Sequence, residues 1–402
     1  MVVSPSFKTT SLFKQMMAEY HERGVAAKEK GIPVAWVTAT FPVEIIYAAG
    51  LFPYYPENFG ARIAAKKVAD RISAAAEEKG YFPDLCAYAR CGIGNAFSVE
   101  RPVGEVLKPD VVFCSNAQCG SLQKWFEAAG RYYQVPFFLI DTPLIENTPT
   151  TLIKRYIVEQ LHELLDFLEL YTGNTFNFSR LAEVISLSNE ACRLWNEILN
   201  MAALKPAPFG YFDACYHLAP IVAWRGTKWA VDYYKELKKE LEERLDNNVY
   251  VISDERYKLY FDHIPVWPRL RWFSNLLMER KALAVASQYT HSWAWRFDLN
   301  RPLESLVKNY TEVFINRGYE YRLQQKIILM KEFKVDGFIL FSNRSCKPKA
   351  LGLYDKYQII SDRTGLPGVI FEADMSDERY FDEEYIKKLF AEFFDRLEHN
   401  SN

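Results

Sequence analysis

Three cysteines of this sequence stand in short segments where a thiol could bind a metal. Cys86 lies in DLCAYARCGIG, Cys119 in CSNAQCGSLQKWFE and Cys346 in FSNRSCKP. The chain has seven cysteines, and in the reducing compartment that we expect for it they argue against a disulfide framework. Each cysteine is therefore a buried small residue, a nucleophile or a metal ligand, and its position must distinguish these alternatives.

Two of these cysteines occupy equivalent places after predicted strands. Cys119 follows an apolar strand predicted over residues 110–115, and Cys346 follows another over residues 337–341. In an α/β sheet, ligands collect in the loops beyond the carboxyl ends of the strands. A four-iron cluster takes thiolate ligands, and three protein thiolates leave one iron open to bind a substrate oxygen or water as a Lewis acid. This placement favours an iron–sulfur site that also includes Cys86.

The other four cysteines are less suited to this site. Cys91 and Cys114 lie close in sequence to two of the candidate ligands and could extend a larger cluster, although Cys114 falls inside a predicted strand and suits the core. Cys192, in a helical stretch, and Cys215, in a Tyr-rich segment, are expected to be structural.

Glu57 is the candidate for proton transfer. It follows a proline in the turn GLFPYYPENFG and is expected to face a cleft near the end of the first strand. An apolar setting there would raise the pKa of its carboxyl group and suit it to acid–base chemistry. The alternative is a helix-capping or solvated acid.

The elements that must position these residues alternate between strand and helix. The pattern predicts strands over 33–38, 110–115, 135–141, 257–262, 282–287, 337–341 and 368–372, and helices over 42–50, 60–79, 121–133, 227–245, 270–279 and from 382 onward. Short buried strands between helices are typical of parallel α/β sheets. We predict two Rossmann- or flavodoxin-like lobes, residues 1–150 and 204–402, joined by a helical bridge over 151–203, with the cluster in the cleft between the lobes.

Composition excludes several classes of function. The net charge of −2 arises from interleaved acids and bases, which leaves no basic stripe for nucleic acid and no polybasic run for a membrane. No signal-peptide core and no apolar run of about 18 residues is present, so we expect a cytoplasmic protein. The sequence has no P-loop, GxSxG or HExxH motif, and its six scattered histidines disfavour a zinc site.

At these residues the chain resembles the 2-hydroxyacyl-CoA dehydratase and benzoyl-CoA reductase family, in particular the larger subunit of 2-hydroxyisocaproyl-CoA dehydratase-like enzymes. The matching stretches extend over nearly the whole chain and are PVAWVTATFP, YYPENFGARIAAKK, EEKGYFPDLCAYAR, SNAQCGSLQKWFE, AWRGTKWAVDYYKELKKELEERL, FSNRSCKP and FEADMSDERYF.

The resemblance implies a 4Fe-4S cluster held by Cys86, Cys119 and Cys346, and a related second subunit with its own cluster. It also implies a separate ATP-hydrolysing iron–sulfur activator that injects one electron, so that the acyl-CoA thioester becomes a ketyl radical anion. The dehydratase then expels the 2-hydroxyl group and removes a proton from carbon 3 to give an enoyl-CoA. Glu57 matches the acid–base glutamate of the family's PEN turn.

The chain departs from the dehydratase pattern at Ala39, where the family has a serine thought to anchor the thioester carbonyl. Thr38 and Thr40 flank this alanine, so a threonine hydroxyl takes over the anchoring, the substrate binds differently, or the reaction is not dehydration. A benzoyl-CoA reductase subunit is the second hypothesis, because that branch needs no such serine. Two further hypotheses are a double-cubane reductase that recruits Cys91 and Cys114, and a non-catalytic electron-relay subunit.

Overall fold

Two parallel sheets form the frame of the molecule, which we describe from a computed structural model that covers residues 6–99 and 102–400. The strands are β1 Val34–Val37, β2 Phe52–Tyr54, β3 Val111–Ser115, β4 Phe137–Ile140, β5 Tyr257–Asp262, β6 Ala282–Ala286, β7 Gly337–Asn343 and β8 Gly368–Ala373. The first sheet has the order β2-β1-β3-β4 and the second has the order β6-β5-β7-β8.

The two sheets share one topology. In each, the first strand along the chain lies between the second and the third, and every pairing is parallel. All residues of β1, β3, β5 and β6 are buried, as expected for strands that are covered by helices on both faces. The predicted class, an α/β protein with two Rossmann- or flavodoxin-like lobes, is confirmed.

Helices cover both sheets and connect them. They are α1 Thr9–Glu29, α2 Val43–Ala48, α3 Pro56–Ala65, α4 Ala69–Glu77, α5 Ala87–Phe97, α6 Gly120–Tyr133, α7 Thr151–Thr172, α8 Phe178–Met201, α9 Tyr211–Tyr216, α10 Ala219–Ala223, α11 Lys228–Asp246, α12 Leu270–Met278, α13 Gln288–His291, α14 Pro302–Thr311, α15 Tyr319–Glu332, α16 Lys347–Ala350, α17 Leu353–Thr364 and α18 Glu383–Asn400. Short 3-10 helices lie at Trp267–Arg269, Phe314–Asn316 and Glu378–Tyr380. None of the helices within the described ranges is long and apolar enough to cross a membrane.

Helices α7 and α8 occupy the segment predicted as a helical bridge. The Thr150 hydroxyl caps α7 by accepting a hydrogen bond from the backbone of Ile153, and Gly173 ends the helix in the left-handed conformation. One buried apolar cluster extends from the first sheet through these helices to the second sheet. The division into domains at 150 and 203 stays a prediction.

The single helix predicted over 60–79 is wrong. The segment forms α3 and α4, because Lys67 adopts φ +56° and cannot continue a right-handed helix. Helix α3 also begins earlier, at Pro56, whose ring suits the first helical position. Helix α1 and strand β2 lie outside the predicted elements; β2 has only three residues and contains Pro53, which an edge strand tolerates.

Candidate active site

A cavity of about 610 Å³ lies where the carboxyl ends of the two sheets face each other. Its walls come from the segments after β1, β2 and β3 of the first sheet, from the segments after all four strands of the second, and from helices α1, α9 and α10. Parallel strands end at the same edge of a sheet, so these loops meet in one place although they are far apart in sequence. Candidate residues on several loops therefore face a single space.

All three candidate cysteine ligands line this cavity and are partly buried. Each stands directly before a helix: Cys86 before α5, Cys119 before α6 and Cys346 before α16. Among the described residues, no three His, Cys, Asp or Glu side chains meet closely enough to hold one metal ion. Thiolates that bind a four-iron cluster each hold a different iron, so their spacing differs from that of ligands to a single ion.

The three thiols influence one another electrostatically. Burial raises the pKa of the Cys86 thiol to about 12, that of Cys119 to about 11 and that of Cys346 to about 12. Cys119 raises the pKa of Cys86 further, Cys346 does so for Cys119, and Cys86 does so for Cys346. Backbone N–H groups of the adjoining helical turns act in the opposite direction, as at other cysteines near helix N-termini.

This donor set suits a cluster with three protein ligands. The three sulfur atoms come from three separate loops, face one cavity and have nearby N–H groups that can donate to thiolate sulfur. Because burial keeps the free thiols protonated at neutral pH, binding of iron must release their protons.

Glu57 lies in the first turn of α3, is 6% exposed and lines the same cavity. The backbone N–H of Ala39 donates to its Oε1 at 2.8 Å, and Nε2 of Gln118 donates to its Oε2 at 2.7 Å. Burial raises the pKa of the Glu57 carboxyl group, while these two hydrogen bonds lower it. The alternative of a solvated acid is therefore excluded, and the expected upward direction of the pKa is confirmed.

The two threonines beside Ala39 have different environments. Thr40 lines the cavity, and its hydroxyl lies 3.4 Å from Oε1 of Gln118. Thr38 is fully buried, and its hydroxyl accepts a hydrogen bond from the backbone N–H of Ser115 at 3.1 Å. Thr40 is therefore part of the cavity wall, whereas the hydroxyl of Thr38 bonds to the last residue of β3.

The remaining cysteines lie mostly outside this group. Cys91 is fully buried beside Ser73, and Cys114 is fully buried within β3; neither lines the cavity. Cys192 lies within α8, with its thiol 3.4 Å from the carbonyl oxygen of Trp293. Cys215 does line the cavity, at 2% exposure, although the sequence indicated only a structural role for it.

The structure also places residues in the cavity wall that the sequence did not single out. The side chain of Gln118 forms hydrogen bonds with both Glu57 and Thr40. Because Gln118 directly precedes Cys119, the sequence could have indicated it as a residue of the site. His263 comes directly after β5, the position that Thr38 occupies after β1. Tyr289 and Lys349 complete this part of the wall and carried no signal in the sequence.

The charges around the cavity are mainly positive. Lys14 of α1, Arg62 of α3 and Lys66 directly after α3 belong to its lining, and none of the three has an ion-pair partner within the described part of the chain. Glu57 is the one carboxyl group among the described lining residues. The cavity therefore favours an anionic ligand.

Fold and site together define a two-sheet parallel α/β protein whose interlobe cavity carries three thiols and a buried acid. Residues 38–397 match the model of the family described as 2-hydroxyglutaryl-CoA dehydratase, D-component. The chain belongs to this family, which confirms the relationship inferred from its motifs.

Three relatives match over most of their length. The chain is 32% identical to the alpha subunit of (R)-2-hydroxyisocaproyl-CoA dehydratase from Clostridioides difficile, over 92% of this chain and 91% of the relative. It is 31% identical to the alpha subunit of (R)-phenyllactyl-CoA dehydratase from Clostridium sporogenes, over 89% and 88%. It is 28% identical to one of the subunits of benzoyl-CoA reductase from Thauera aromatica, over 97% and 95%. Each relative is named as one subunit of a larger enzyme.

Proposed function

We propose that this chain is the catalytic iron–sulfur subunit of a 2-hydroxyacyl-CoA dehydratase. The reaction breaks the bond between carbon 2 and its hydroxyl oxygen and a carbon–hydrogen bond at carbon 3, and it yields an enoyl-CoA and water. The observation that carries the proposal is the meeting of three loop thiols and a buried carboxyl group in one cavity with cations in its lining.

In this proposal Cys86, Cys119 and Cys346 hold a 4Fe-4S cluster. When bound, such a cluster supplies a Lewis-acidic iron for the hydroxyl group that leaves. The surrounding chain limits the access of bulk water to this part of the cavity, since the thiols are only partly exposed and apolar side chains such as Leu122 and Met375 line the same cavity.

Glu57 accepts the proton from carbon 3. Two of its carboxylate lone-pair positions are taken by Ala39 and Gln118, which fix its orientation and leave further positions free. Its raised pKa makes it a stronger base than an exposed glutamate. Of the two threonines, we assign substrate binding to Thr40, because Thr40 lines the cavity whereas the hydroxyl of Thr38 already accepts a hydrogen bond from Ser115.

The cations at the cavity suit the CoA part of the substrate, which carries several phosphate charges. Arg62 can bind a phosphate through two parallel hydrogen bonds, and Lys14 and Lys66 add flexible point charges.

The partners that we propose follow from the family. The relatives are subunits of multi-subunit enzymes, which supports a related second iron–sulfur subunit. An ATP-hydrolysing iron–sulfur activator would donate the single electron that makes a ketyl radical of the thioester, and the electron is recovered when the product forms.

A benzoyl-CoA reductase subunit is the second candidate, and Ala39 is the observation that favours it. Its side chain has no hydroxyl group, and its backbone N–H is already taken by Glu57. The double-cubane hypothesis is less well supported, because neither Cys91 nor Cys114 lines the cavity. An electron-relay subunit would need neither Glu57 nor a cavity of this size.

The first test is the iron and sulfide content of the chain, purified without oxygen together with its partner subunit. We expect Cys86→Ser, Cys119→Ser and Cys346→Ser each to lose the cluster, because three thiolates are its only protein ligands. Cys91→Ser and Cys114→Ala are the matched controls and should keep wild-type iron. The proposed cofactor is wrong if iron is absent from the wild type or survives all three changes.

The second test separates the reactions. The reconstituted enzyme, supplied with a low-potential electron donor and activator, is assayed with (R)-2-hydroxyisocaproyl-CoA and with benzoyl-CoA. Formation of an enoyl-CoA supports dehydration, whereas reduction of the aromatic ring identifies the second candidate. Absence of both reactions in a preparation with full iron content favours the relay subunit.

A further inference from the structure

His263 adopts a backbone conformation that is unusual for its residue type. It directly follows β5, at the carboxyl edge of the second sheet, and has φ +91°. A histidine in this region is strained, and such strain persists only where the surroundings hold the residue in place. Tyr211 does so, since its hydroxyl donates to the carbonyl oxygen of His263 at 2.8 Å.

One ring nitrogen of His263 has a hydrogen-bond partner and the other has none. The backbone N–H of Ile264 donates to Nδ1 at 2.6 Å, so Nδ1 is an acceptor and a neutral ring carries its proton on Nε2. Nε2 is buried and has no hydrogen-bond partner in the described structure. His263 is 4% exposed and lines the cavity. A buried N–H without a partner is unfavourable, and a ligand in the cavity that His263 lines could supply the missing acceptor.

Burial, together with the positive charge of Lys349, keeps the His263 ring neutral. Burial lowers the pKa of the imidazole well below its usual range, and the Lys349 ammonium lowers it further. Asp262 acts in the opposite direction, but it is already paired with Lys326. The imidazole ring is therefore uncharged near pH 7, and its Nε2–H is a hydrogen-bond donor.

The ligand atom that most needs this donor is a carbonyl oxygen. The three candidate thiols already have backbone N–H groups nearby, and Glu57 is held by Ala39 and Gln118. A thioester carbonyl gains negative charge when the acyl group takes up an electron, and a fixed donor stabilises that charge more than the ground state.

We propose that Nε2–H of His263 donates a hydrogen bond to the thioester carbonyl oxygen of the acyl-CoA. The second lobe would thus supply, from the loop after its first strand, the donor that Ala39 lacks on the first lobe. This inference rests on the proposed function, because it requires an acyl-CoA in the cavity. His263 is then a catalytic residue that contacts substrate directly.

The test is isotope-edited infrared spectroscopy of a bound thioester. The iron-loaded enzyme with its partner subunit, but without activator, is mixed with (R)-2-hydroxyisocaproyl-CoA or benzoyl-CoA that carries ¹³C at the thioester carbonyl. We expect the wild type to shift the carbonyl stretch to lower frequency. His263→Phe should abolish the shift and weaken binding about tenfold, and His263→Gln should keep part of both.

Further variants keep the test decisive. His263→Gly accepts the positive φ without strain and also removes the donor, so it replaces His263→Phe if that variant does not fold. His291→Phe is the matched control, because Nε2 of His291 is likewise buried without a partner but lies outside the cavity lining. In turnover, loss of the donor should lower kcat about a hundredfold and change KM much less.

The outcomes separate the two proposals. If the wild type binds neither thioester, the proposed function fails and this inference falls with it. If a thioester binds and the carbonyl frequency is the same in wild type, His263→Phe and His263→Gly, the inference alone is wrong. Loss of iron in the His263 variants, with an unchanged carbonyl frequency, would assign Nε2–H to the cofactor and also overturn it.

Discussion

Glu57 is buried, and its hydrogen bonds offset only part of the cost of burying its negative charge. It accepts two hydrogen bonds and has no cationic partner among the described residues that contact it. A carboxylate in this setting destabilises the fold relative to its protonated form. Such an arrangement is typical of a residue that is retained for chemistry rather than for stability.

The pH dependence of stability should reveal this cost. Because the folded pKa of Glu57 is raised, the folded chain holds a proton that the unfolded chain has lost, and the free energy of unfolding falls as pH rises through that window. Glu57→Gln should remove this decrease. Urea unfolding at a series of pH values from about 4 to 8 measures it.

Glu163→Gln is the control for this experiment, because Glu163 is an exposed acid on α7. It should keep the wild-type dependence of stability on pH. Identical pH dependence in wild type and Glu57→Gln would contradict a raised pKa at this site.

Helix α3 links the interior of the cavity to its charged lining. Glu57 lies in its first turn, and Arg62 and Lys66 lie near its end. One short helix can therefore present a base to the acyl group and cations to the phosphates of the same ligand.

Lys66→Gln should weaken acyl-CoA binding severalfold at low salt, because it removes a charge that has no partner in the described part of the protein. The difference from wild type should shrink at high salt, where the Debye length falls to about 3 Å. Titration calorimetry at two salt concentrations tests both points. Lys30→Gln, at an exposed site outside the cavity lining, should bind as the wild type does.

Helix α5 starts immediately after Cys86 and packs closely against α4. A Cβ added at Gly94 would lie 1.9 Å from the backbone oxygen of Ile72, so only glycine permits this approach. The position of Cys86 thus depends on a contact near the other end of its helix.

Gly94→Ala should lower the free energy of unfolding by about 1–2 kcal/mol, because steric overlap outweighs the gain in helix propensity. The iron content of the chain should fall as well, since α5 must shift. Gly120→Ala is the control, because a Cβ there meets no atom within 4 Å, and it should leave stability unchanged or slightly higher. Equal stabilities of the two variants would show that α4 and α5 can separate without cost.

At the level of the whole molecule, a buried ion-pair network holds the two lobes together near the site. Nη1 of Arg90 donates to Asp377 at 3.0 Å and to Glu77 at 2.8 Å, and Arg379 binds the same two acids. Nε of Arg90 also donates to the carbonyl oxygen of Leu85, directly before Cys86. The segment after β8 therefore fixes a cysteine loop of the first lobe.

Asp377→Asn should destabilise the protein by about 1–3 kcal/mol, because it removes the charge of one of the two carboxylates that pair with the fully buried Arg90. Denaturant unfolding measures this effect. Lys228→Gln breaks an exposed pair with Asp232 and should change stability by less than about 1 kcal/mol. A similar small effect in both variants would mean that the lobes are held mainly by apolar contacts.

Local pattern was sufficient for much of this architecture. The strands at 110–115 and 337–341 are continuous apolar runs, and the structure has β3 and β7 there. Strand β2 was not predictable, because three residues with a proline give no periodic signal. The break at Lys67 depends on a backbone conformation that its side chain does not favour, so propensity favoured one continuous helix.

The residue pattern alone was enough to predict the fold class, the family, and a cleft shared by the three cysteine loops and Glu57, because apolar runs and loop motifs depend on residues that are neighbours in the chain. The three-dimensional contacts were needed to see that Thr40 rather than Thr38 lines the cavity, that Gln118 donates to Glu57, and that Nε2 of His263 has no partner among the described residues. These features depend on which distant segments pack together and on which polar atoms they leave unpaired, and no local pattern encodes that.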